Sequence, residues 1–570
     1  MKKLNTLSAI SALLFCSQGV YALTPWATGY LAPDVTIKVS GAVAQTKAFA
    51  QTVNTVLAAP GSLDTFNDQD PVTGSVGSRW TAFYFTGSSS LPVGLAGKKI
   101  LLTRRTAGGS GYGVLPLLTP GIPVEMLNIV GTKATNWTQD TSTTSGGATG
   151  FWKATISATN GSQYIKTFVP DGGVIAVDPY LLLAPGSKNY PDQQNQLLTG
   201  APEAGWPTTV KALPANFFTV VPTGGLAYGV AVTLDLYKVL QAAQKRAGTL
   251  ASTVTVGNYT ESDMPTLHHN VIASLIAGKI GAWDQIKIVD KTGGTPVVRN
   301  LLDPAILADA GVTATPPAQE STTGKHLTPV ALALRNNGAA TSVIAYSVFL
   351  NYPSAVNGVA PASKTANDPV IEDASLPIVK EPIIISDTGT LLKDWQNGTN
   401  TLSFNNVPVG SGFAKRWGIA INTANQNSAV TATGTGGDPW RYIRIDGYAP
   451  TLENIAAGVY TYWAEGAVIY RTSFSTDPQW ALKTTVLQAL ANNMASPAIL
   501  GGATTTQAWG KTGGFATAAT AGVQKYSTTL PFSSSSPVVP FSHFNNGGLH
   551  TEIVPIADSA EVGGFTLQMK

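Results

Sequence analysis

The sequence predicts a layered α/β fold, and three features carry that expectation. Short β-branched runs, among them Val35-Thr36-Ile37-Lys38-Val39 and Lys99-Ile100-Leu101-Leu102-Thr103, alternate with segments whose apolar residues recur at helical spacing. Small residues crowd the junctions where strand should give way to helix, as in Ser40-Gly41-Ala42-Val43. The alternation argues for α/β layers rather than an all-β sandwich, and no internal repeat of fixed period runs through the 570 residues.

The first strand turns at Ser40-Gly41 into a helix with Phe49, Val53 and Leu57 on one face, stopped by Ala59-Pro60-Gly61. The second runs into Gly108-Gly109-Ser110-Gly111-Tyr112-Gly113. Beyond it, about residues 114–170, rich in Thr, Gly and Ser, read as an irregular surface insertion. Val220-Val221-Pro222-Thr223-Gly224-Gly225 reads as a crossover, followed by a helix from Leu234 to Lys245. Asp263 and Pro265 open a helix that carries Leu267, Val271 and Leu275 and closes at Gly278. A strand from Thr328 to Leu334 leads through Arg335-Asn336-Asn337-Gly338-Ala339-Ala340-Thr341 into a helix that ends before Pro353. Near Ile443-Arg444-Ile445-Asp446-Gly447 the chain returns toward its first part, and Asp477-Pro478 starts a late helix with Leu482, Val486 and Leu490. Ser533 to Ser536 is a low-complexity link to an irregular tail.

The start of the chain bears on compartment. Lys2 and Lys3, the apolar run Leu7 to Cys16, and Val20-Tyr21-Ala22 have the layout of a secretory signal peptide cleaved after Ala22. Residues 1–22 are therefore expected to be removed, and the mature chain to be periplasmic or secreted. Phe15 is too bulky to precede a lipidated cysteine. Cys16 is the only cysteine, so the mature chain would hold no disulfide, thiolate nucleophile or cysteine metal site. The 35 basic residues nearly balance the 32 acidic ones, which argues against nucleic acid or an anionic membrane surface as partner. No later apolar run reaches the ~18 residues of a spanning helix, so no integral membrane segment is expected.

Three junctions share one physical feature. Ser40 to Val43, Gly108 to Gly113 and Gly338 to Thr341 place small residues at expected helix starts, where free N–H groups and the helix dipole favour anions. Any α/β fold has several such loops, so each is read either as a plain turn or as an anion seat.

The order of these segments is more specific. Asp263-Met264-Pro265-Thr266-Leu267 runs on to Gly278-Lys279-Ile280 and Trp283. Arg335 stands three residues before Gly338, and Ile445-Asp446-Gly447-Tyr448-Ala449-Pro450-Thr451-Leu452-Glu453-Asn454-Ile455 precedes Gly458 and Tyr460. Together with residues 35–60, 100–118 and 174–180, these segments resemble the phosphate-type periplasmic solute-binding proteins of ABC transporters over most of residues 35–470. The resemblance implies a two-lobed type II periplasmic-binding-protein fold, with a hinge and an interlobe cleft. Lobe 1 would comprise 23–227 with the 114–170 insertion, lobe 2 would be 228–436, and 437–570 would return to lobe 1 and end in the tail.

The resemblance also implies a ligand shell. Arg335 would grip an oxyanion with its fork of N–H donors. Asp178 would accept a hydrogen bond from a protonated oxygen, favouring hydrogen phosphate over sulfate. Ala42, Val43, Gly109, Ser110, Gly111 and Gly338 would lend backbone N–H groups, and Thr341 its hydroxyl. The partners implied are a small oxyanion, phosphate or a relative, and an ABC permease. Arg335 can equally be an interlobe salt-bridge residue, and Asp178 a turn residue before Pro179. This chain departs from the family pattern at Val43, Val177, Ala339 and Ala340, where the family has hydroxyl residues or glycine. Losing three hydrogen bonds to a charged group removes about 4–9 kcal/mol, against about 8 kcal/mol for a whole micromolar complex. The competing expectation is a secreted or cell-surface protein that keeps the fold for a structural or interaction role.

Neither an enzyme nor a cofactor is expected. His268, His269, His326, His543 and His550 stand in no metal-ligand spacing, and His268-His269, placed within a helix, should point to different faces. Gly108 to Gly113 lacks the Lys-Ser or Lys-Thr of a P-loop, and Ser110 lacks a nucleophile elbow. No catalytic residue and no metal ligand is assigned.

Overall fold

The structure is a computed structural model. It describes residues 32–554 apart from 131–135, 141–149, 313–327, 366–375, 518–532 and scattered shorter gaps. The leader expected at 1–22 and the end of the tail lie outside the described residues.

One five-strand order occurs twice in the main sheet. The first set runs Lys99–Arg105, Val35–Gly41, Gly172–Ile175, Trp463–Arg471 and the first part of Phe218–Thr233. The second runs Ile378–Lys380, Ala331–Ala333, Gly418–Thr423, the last part of Phe218–Thr233 and Trp440–Ile445. In both sets the second strand lies between two parallel neighbours, and the fourth runs antiparallel to the third and fifth.

Phe218–Thr233 therefore belongs to both sets. Phe218 to Ala227 pair with Trp463–Arg471, and Tyr228 to Val232 pair with Gly418–Thr423. A register shift between Pro222 and Gly224 bends the strand just before this change of partner. Gly224 has φ +87°, and a Cβ there would stand 2.6 Å from Leu500 Cδ1. Strand Trp440–Ile445 pairs with Val230 to Thr233, so the second set extends past the boundary expected at 436. The chain returns to the first set only through the link 446–462.

The stretch 114–170 is not the irregular insertion expected. Val124–Leu127 pairs with Ile165–Phe168, and Gly150–Thr155 joins the main sheet alongside Asp64–Gln69. Asp64–Gln69 and Val76–Thr86, two strands absent from the sequence reading, carry the sheet outward from Lys99–Arg105. Phe66, Trp80, Tyr84, Trp137 and Tyr164 pack a separate core around them.

Helices with strong periodicity form where expected. Thr46–Thr52 continues into a wider turn, Val53–Leu57, and Phe49, Val53 and Leu57 are fully buried. Leu234–Ala247, Ala340–Leu350 and Trp480–Met494 pack on the sheet, the last through Val486, Leu490 and Met494. The helix expected from Asp263 is shorter, His269–Ile276, because Thr266 and Leu267 form a parallel bridge to Arg444 and Ile445.

Close packing at the first strand's end yields a stability prediction. Gly41 has φ +127°, and a Cβ there would lie 2.0 Å from Val174 O and 2.9 Å from Gly113 Cα. Gly41→Ala is expected to cost more than about 1 kcal/mol in urea unfolding. Gly294→Ala, which meets open space, should be near neutral.

Candidate functional site

The glycine-rich junctions converge, and several of their donors go to protein. Gly111 N–H donates to Gly338 O at 2.9 Å, joining the two strand sets. A Cβ on Gly111 would meet Pro191 Cγ at 2.0 Å, and one on Gly338 would meet Pro191 Cβ at 2.6 Å. Pro191 thus occupies the space between these loops. Gly109 packs against Ala339, and its N–H points at Thr106 O. Ser110 is buried and its hydroxyl accepts from Ala176 N–H at 3.1 Å. Ala42 N–H donates to Val174 O at 2.7 Å, while Val43 O accepts from Thr46. Thr341 is buried, and its carbonyl accepts from the Tyr462 hydroxyl at 3.1 Å.

Arg335 and Asp178 have local partners as well. Arg335 is buried, with Nε donating to Pro382 O at 3.0 Å and Nη2 donating to Ile383 O. Burial pulls its guanidinium down to about 10, against the opposing pull of Asp387 and Tyr228. Asp178 Oδ1 accepts from Tyr180 N–H at 2.9 Å and caps the short turn Pro179–Leu182, the role of a turn residue.

A cleft of about 700 Å³ lies beside these loops. Its walls come from the carboxyl ends of parallel strands in both sets: Arg105 and Ala107 after Lys99–Arg105, Asn336 and Asn337 after Ala331–Ala333, and Glu381 to Asp387 after Ile378–Lys380. In open α/β sheets such crevices are where ligands are held. A strap, residues 188–197, forms another wall. Asp192 fastens the strap to the second set, its Oδ1 accepting from Asn337 Nδ2 at 3.0 Å.

Arg105 and Glu203 anchor the chain beyond the strap. Arg105 Nη1 lies 2.5 Å from Glu203 Oε1 and Nη2 lies 3.3 Å from Oε2, with both side chains about 2 % exposed. Tyr112 donates to Glu203 Oε2 at 2.6 Å and accepts from Gln194 N–H at 2.8 Å. Its ring lies 4.3 Å from the Arg105 guanidinium carbon. Burial, before any other influence, pushes the Tyr112 hydroxyl well above its ordinary value.

The cleft mixes signs. Arg79, Lys188 and Lys364 face Asp192, Glu381 and Asp387. Arg79 donates to Asp70 at 2.6 Å. Burial raises Glu381, with Asp192 adding to the shift, while Lys364 and Lys188 oppose it. Burial also raises Asp387 to about 6, opposed by Arg335 and Arg79. These residues were absent from the sequence reading. For Glu381 and Asp387 the signal that could have found them is their position just beyond the short strand Ile378–Lys380, at its carboxyl end. Arg79, Lys188, Asp192 and Lys364 carry no such signal.

No family model matches the sequence, and no curated protein does. Among solved structures, the chain is similar to an ABC-type phosphate transport receptor from Vibrio cholerae, at 11% identity and a TM-score of 0.24, over 59% of this chain and 82% of that one. It is also similar to PstS from Borrelia burgdorferi, at 10% identity and a TM-score of 0.21, over 50% of this chain and 76% of that one. Superpositions this loose assign neither family nor ligand, and the chain's own geometry carries the reading of the cleft. Among the described residues, no helix is long and apolar enough to cross a membrane.

Two predictions follow from the cleft walls. Arg105→Ala leaves Glu203 buried without its cation, so urea unfolding should register a loss of about 3–5 kcal/mol. Limited proteolysis should then cut within 188–203 before the core. The second concerns pH. A carboxyl raised to about 6 by burial binds its proton more tightly folded than unfolded. Its contribution is therefore most favourable below the ordinary carboxylate range and is lost as pH rises toward 6. Melting temperatures across pH 3.5–7 should show Asp387→Asn gaining on wild type through that window. A constant difference between the two proteins would contradict the assignment.

Proposed function

We propose that this chain is a non-enzymatic, extracytoplasmic solute-binding protein. It takes a phosphate-like oxyanion, borne on a larger polar body, into the cleft between its strand sets and presents it to an ABC permease. The observation that carries the reading is the cleft at the carboxyl ends of parallel strands from both sets, where Arg79, Lys188 and Lys364 oppose Glu381 and Asp387. A volume of about 700 Å³ lies within the ordinary range of small-molecule sites and gives more room than inorganic phosphate fills. The cations supply charge, and the raised carboxyls, when protonated, donate hydrogen bonds to ligand oxygen. Lobes hinged where Phe218–Thr233 changes partner and at 446–462 would open by releasing Gly111 N–H from Gly338 O.

A second reading is favoured by Pro191 filling the space between Gly111 and Gly338, and by Arg335 spending donors on backbone carbonyls. In it the chain is a secreted or cell-surface protein with a structural or interaction role.

Calorimetry of the mature protein against phosphate, arsenate, sulfate, phosphonates and phosphate esters separates the two. A phosphate ester or phosphonate is expected to bind, sulfate to stay silent, and Arg79→Ala and Lys364→Ala each to weaken binding at least about tenfold. Silence across the panel would remove the solute-binding reading and leave the second.

A further inference from the structure

A second constellation lies outside the cleft. Asp446 and Gly447 are the centre of a two-residue turn closed by Ile445 N–H to Tyr448 O and Tyr448 N–H to Ile445 O, both 3.0 Å. Both central residues have positive φ, +51° and +93°, the conformation for which Asp-Gly is favoured. The turn is tied to the 266–269 segment. Asp446 N–H donates to Leu267 O at 3.1 Å, Gly447 N–H to the Thr266 hydroxyl at 2.8 Å, and His269 N–H to Asp446 Oδ1 at 3.0 Å.

This anchoring brings two imidazoles onto one carboxylate. His269 Nδ1 lies 3.0 Å from Asp446 Oδ2, and His268 Nε2 lies 3.6 Å from Oδ1. The expectation that His268 and His269 point to different faces of a helix does not hold. His268 is the extended N-cap of His269–Ile276, with φ −68° and ψ 143°, so its ring lies beside that of His269 with centroids 4.2 Å apart. The third group comes from 177 residues further along the chain, which is why spacing within the sequence did not reveal it.

We propose that His268, His269 and Asp446 bind a divalent transition metal of the zinc class. One candidate donor atom from each residue lies within 4.8 Å of the others. Tetrahedral zinc, with bonds of about 2.0–2.1 Å, sets its ligand atoms about 3.3–3.4 Å apart. Asp446 Oδ2 stands 3.0 Å from His269 Nδ1 and Oδ1 stands 3.6 Å from His268 Nε2, so each imidazole lies near that distance from one carboxylate oxygen. Drawing the three donors together from within 4.8 Å completes the set. Two imidazoles and one carboxylate suit zinc, copper or nickel rather than magnesium or calcium, which take oxygen. Three protein ligands leave a position open to water or to a partner's group. The rings are accessible, at 57% and 44% side-chain exposure, so the ion can enter without unfolding. Arg444, the nearest cation in sequence, is held by Met264 O and Gly447 O. His268 Nδ1 accepts from Asn270 N–H at 3.2 Å, which puts the proton of the neutral ring on Nε2. Coordination through Nε2 moves that proton to Nδ1 and gives up this cap bond.

The test is titration of the mature protein with Zn²⁺, read by calorimetry and by competition with a chromogenic chelator. One equivalent is expected to bind, with Mg²⁺ and Ca²⁺ silent. Asp446→Asn keeps a side chain that tolerates the left-handed turn, and His268→Ser keeps a capping oxygen, so both should retain the wild-type melting temperature. Each of these, and His269→Ala, is expected to weaken zinc binding at least tenfold. Absence of binding to wild type overturns the proposal. So does binding unchanged in all three variants, which would place the ion at other residues.

Discussion

The structure depends on one strand serving two sets of partners. Phe218–Thr233 satisfies the backbone of Trp463–Arg471 with its first part and of Gly418–Thr423 and Trp440–Ile445 with its last. Val230, Ala231 and Val232 are fully buried, as strands covered on both faces require. The shift at Pro222 to Gly224 supplies the bend, and only glycine fits beside Leu500 and Phe515 there. The repeated strand order follows from this exchange. Each set is completed by an antiparallel strand from beyond a crossover, so neither set closes until the chain has visited the other. The parallel strands then end toward a shared crevice, and the cleft is lined from both sides.

The walls of that crevice are fixed by groups that burial would otherwise penalise. Arg105 is surrounded by the Glu203 carboxylate, the Ala107 and Glu125 carbonyls and the Tyr112 ring, which together occupy its donors and its face. Removing one member strands the others, so the cluster holds the chain that follows the strap in place. Arg335, equally buried, meets the same demand with backbone carbonyls of Pro382 and Ile383. A buried guanidinium must find acceptors from whatever lies near it. In the arrangement seen here the protein itself provides them, as it does for Gly111 N–H and Ala42 N–H.

How much of this was legible in the sequence differs by element, for physical reasons. Phe49, Val53 and Leu57 mark their helix because one face must meet the core at a fixed period. Pro and Gly interrupting the apolar run at Val220 to Gly225 mark a register shift within the first set, whereas the change of partner comes only at Ala227 and Tyr228. Asp64–Gln69 was not, since four of its residues, Asp64, Thr65, Asn67 and Asp68, are polar yet buried among neighbouring strands. Asp68 shows how: its carboxylate accepts the N–H groups of Arg79 and Trp80. The candidate site was legible as loops but not as chemistry. The small residues at 109, 111 and 338 read as an anion seat in the sequence, and in the structure they meet protein instead, Gly111 N–H donating to Gly338 O and Gly109 packing against Ala339. What the sequence could not say is that Pro191, far from both loops in the chain, would fill the space between Gly111 and Gly338. The zinc-class triad escaped for a similar reason, since a parallel bridge between Leu267 and Ile445 brings its parts together.

If the cleft holds a solute as proposed, its charge pattern would decide which kind. A uniformly basic crevice would attract any anion and rank ligands by charge. Here Asp192 is fastened to Asn337, while Glu381 and Asp387 sit where burial makes the ionised form costly. Arg79 and Arg335 offset that cost at Asp387 only in part, which leaves it near 6. A ligand oxygen arriving beside such a carboxyl adds negative charge and strengthens its hold on a proton, and the protonated form then donates to that oxygen. A fully ionised anion without donors meets carboxylates it cannot satisfy, whereas a ligand carrying both acceptors and donors meets a partner for each. On the proposed solute-binding reading, discrimination in this cleft would come from the placement of hydrogen-bonding groups rather than from net charge.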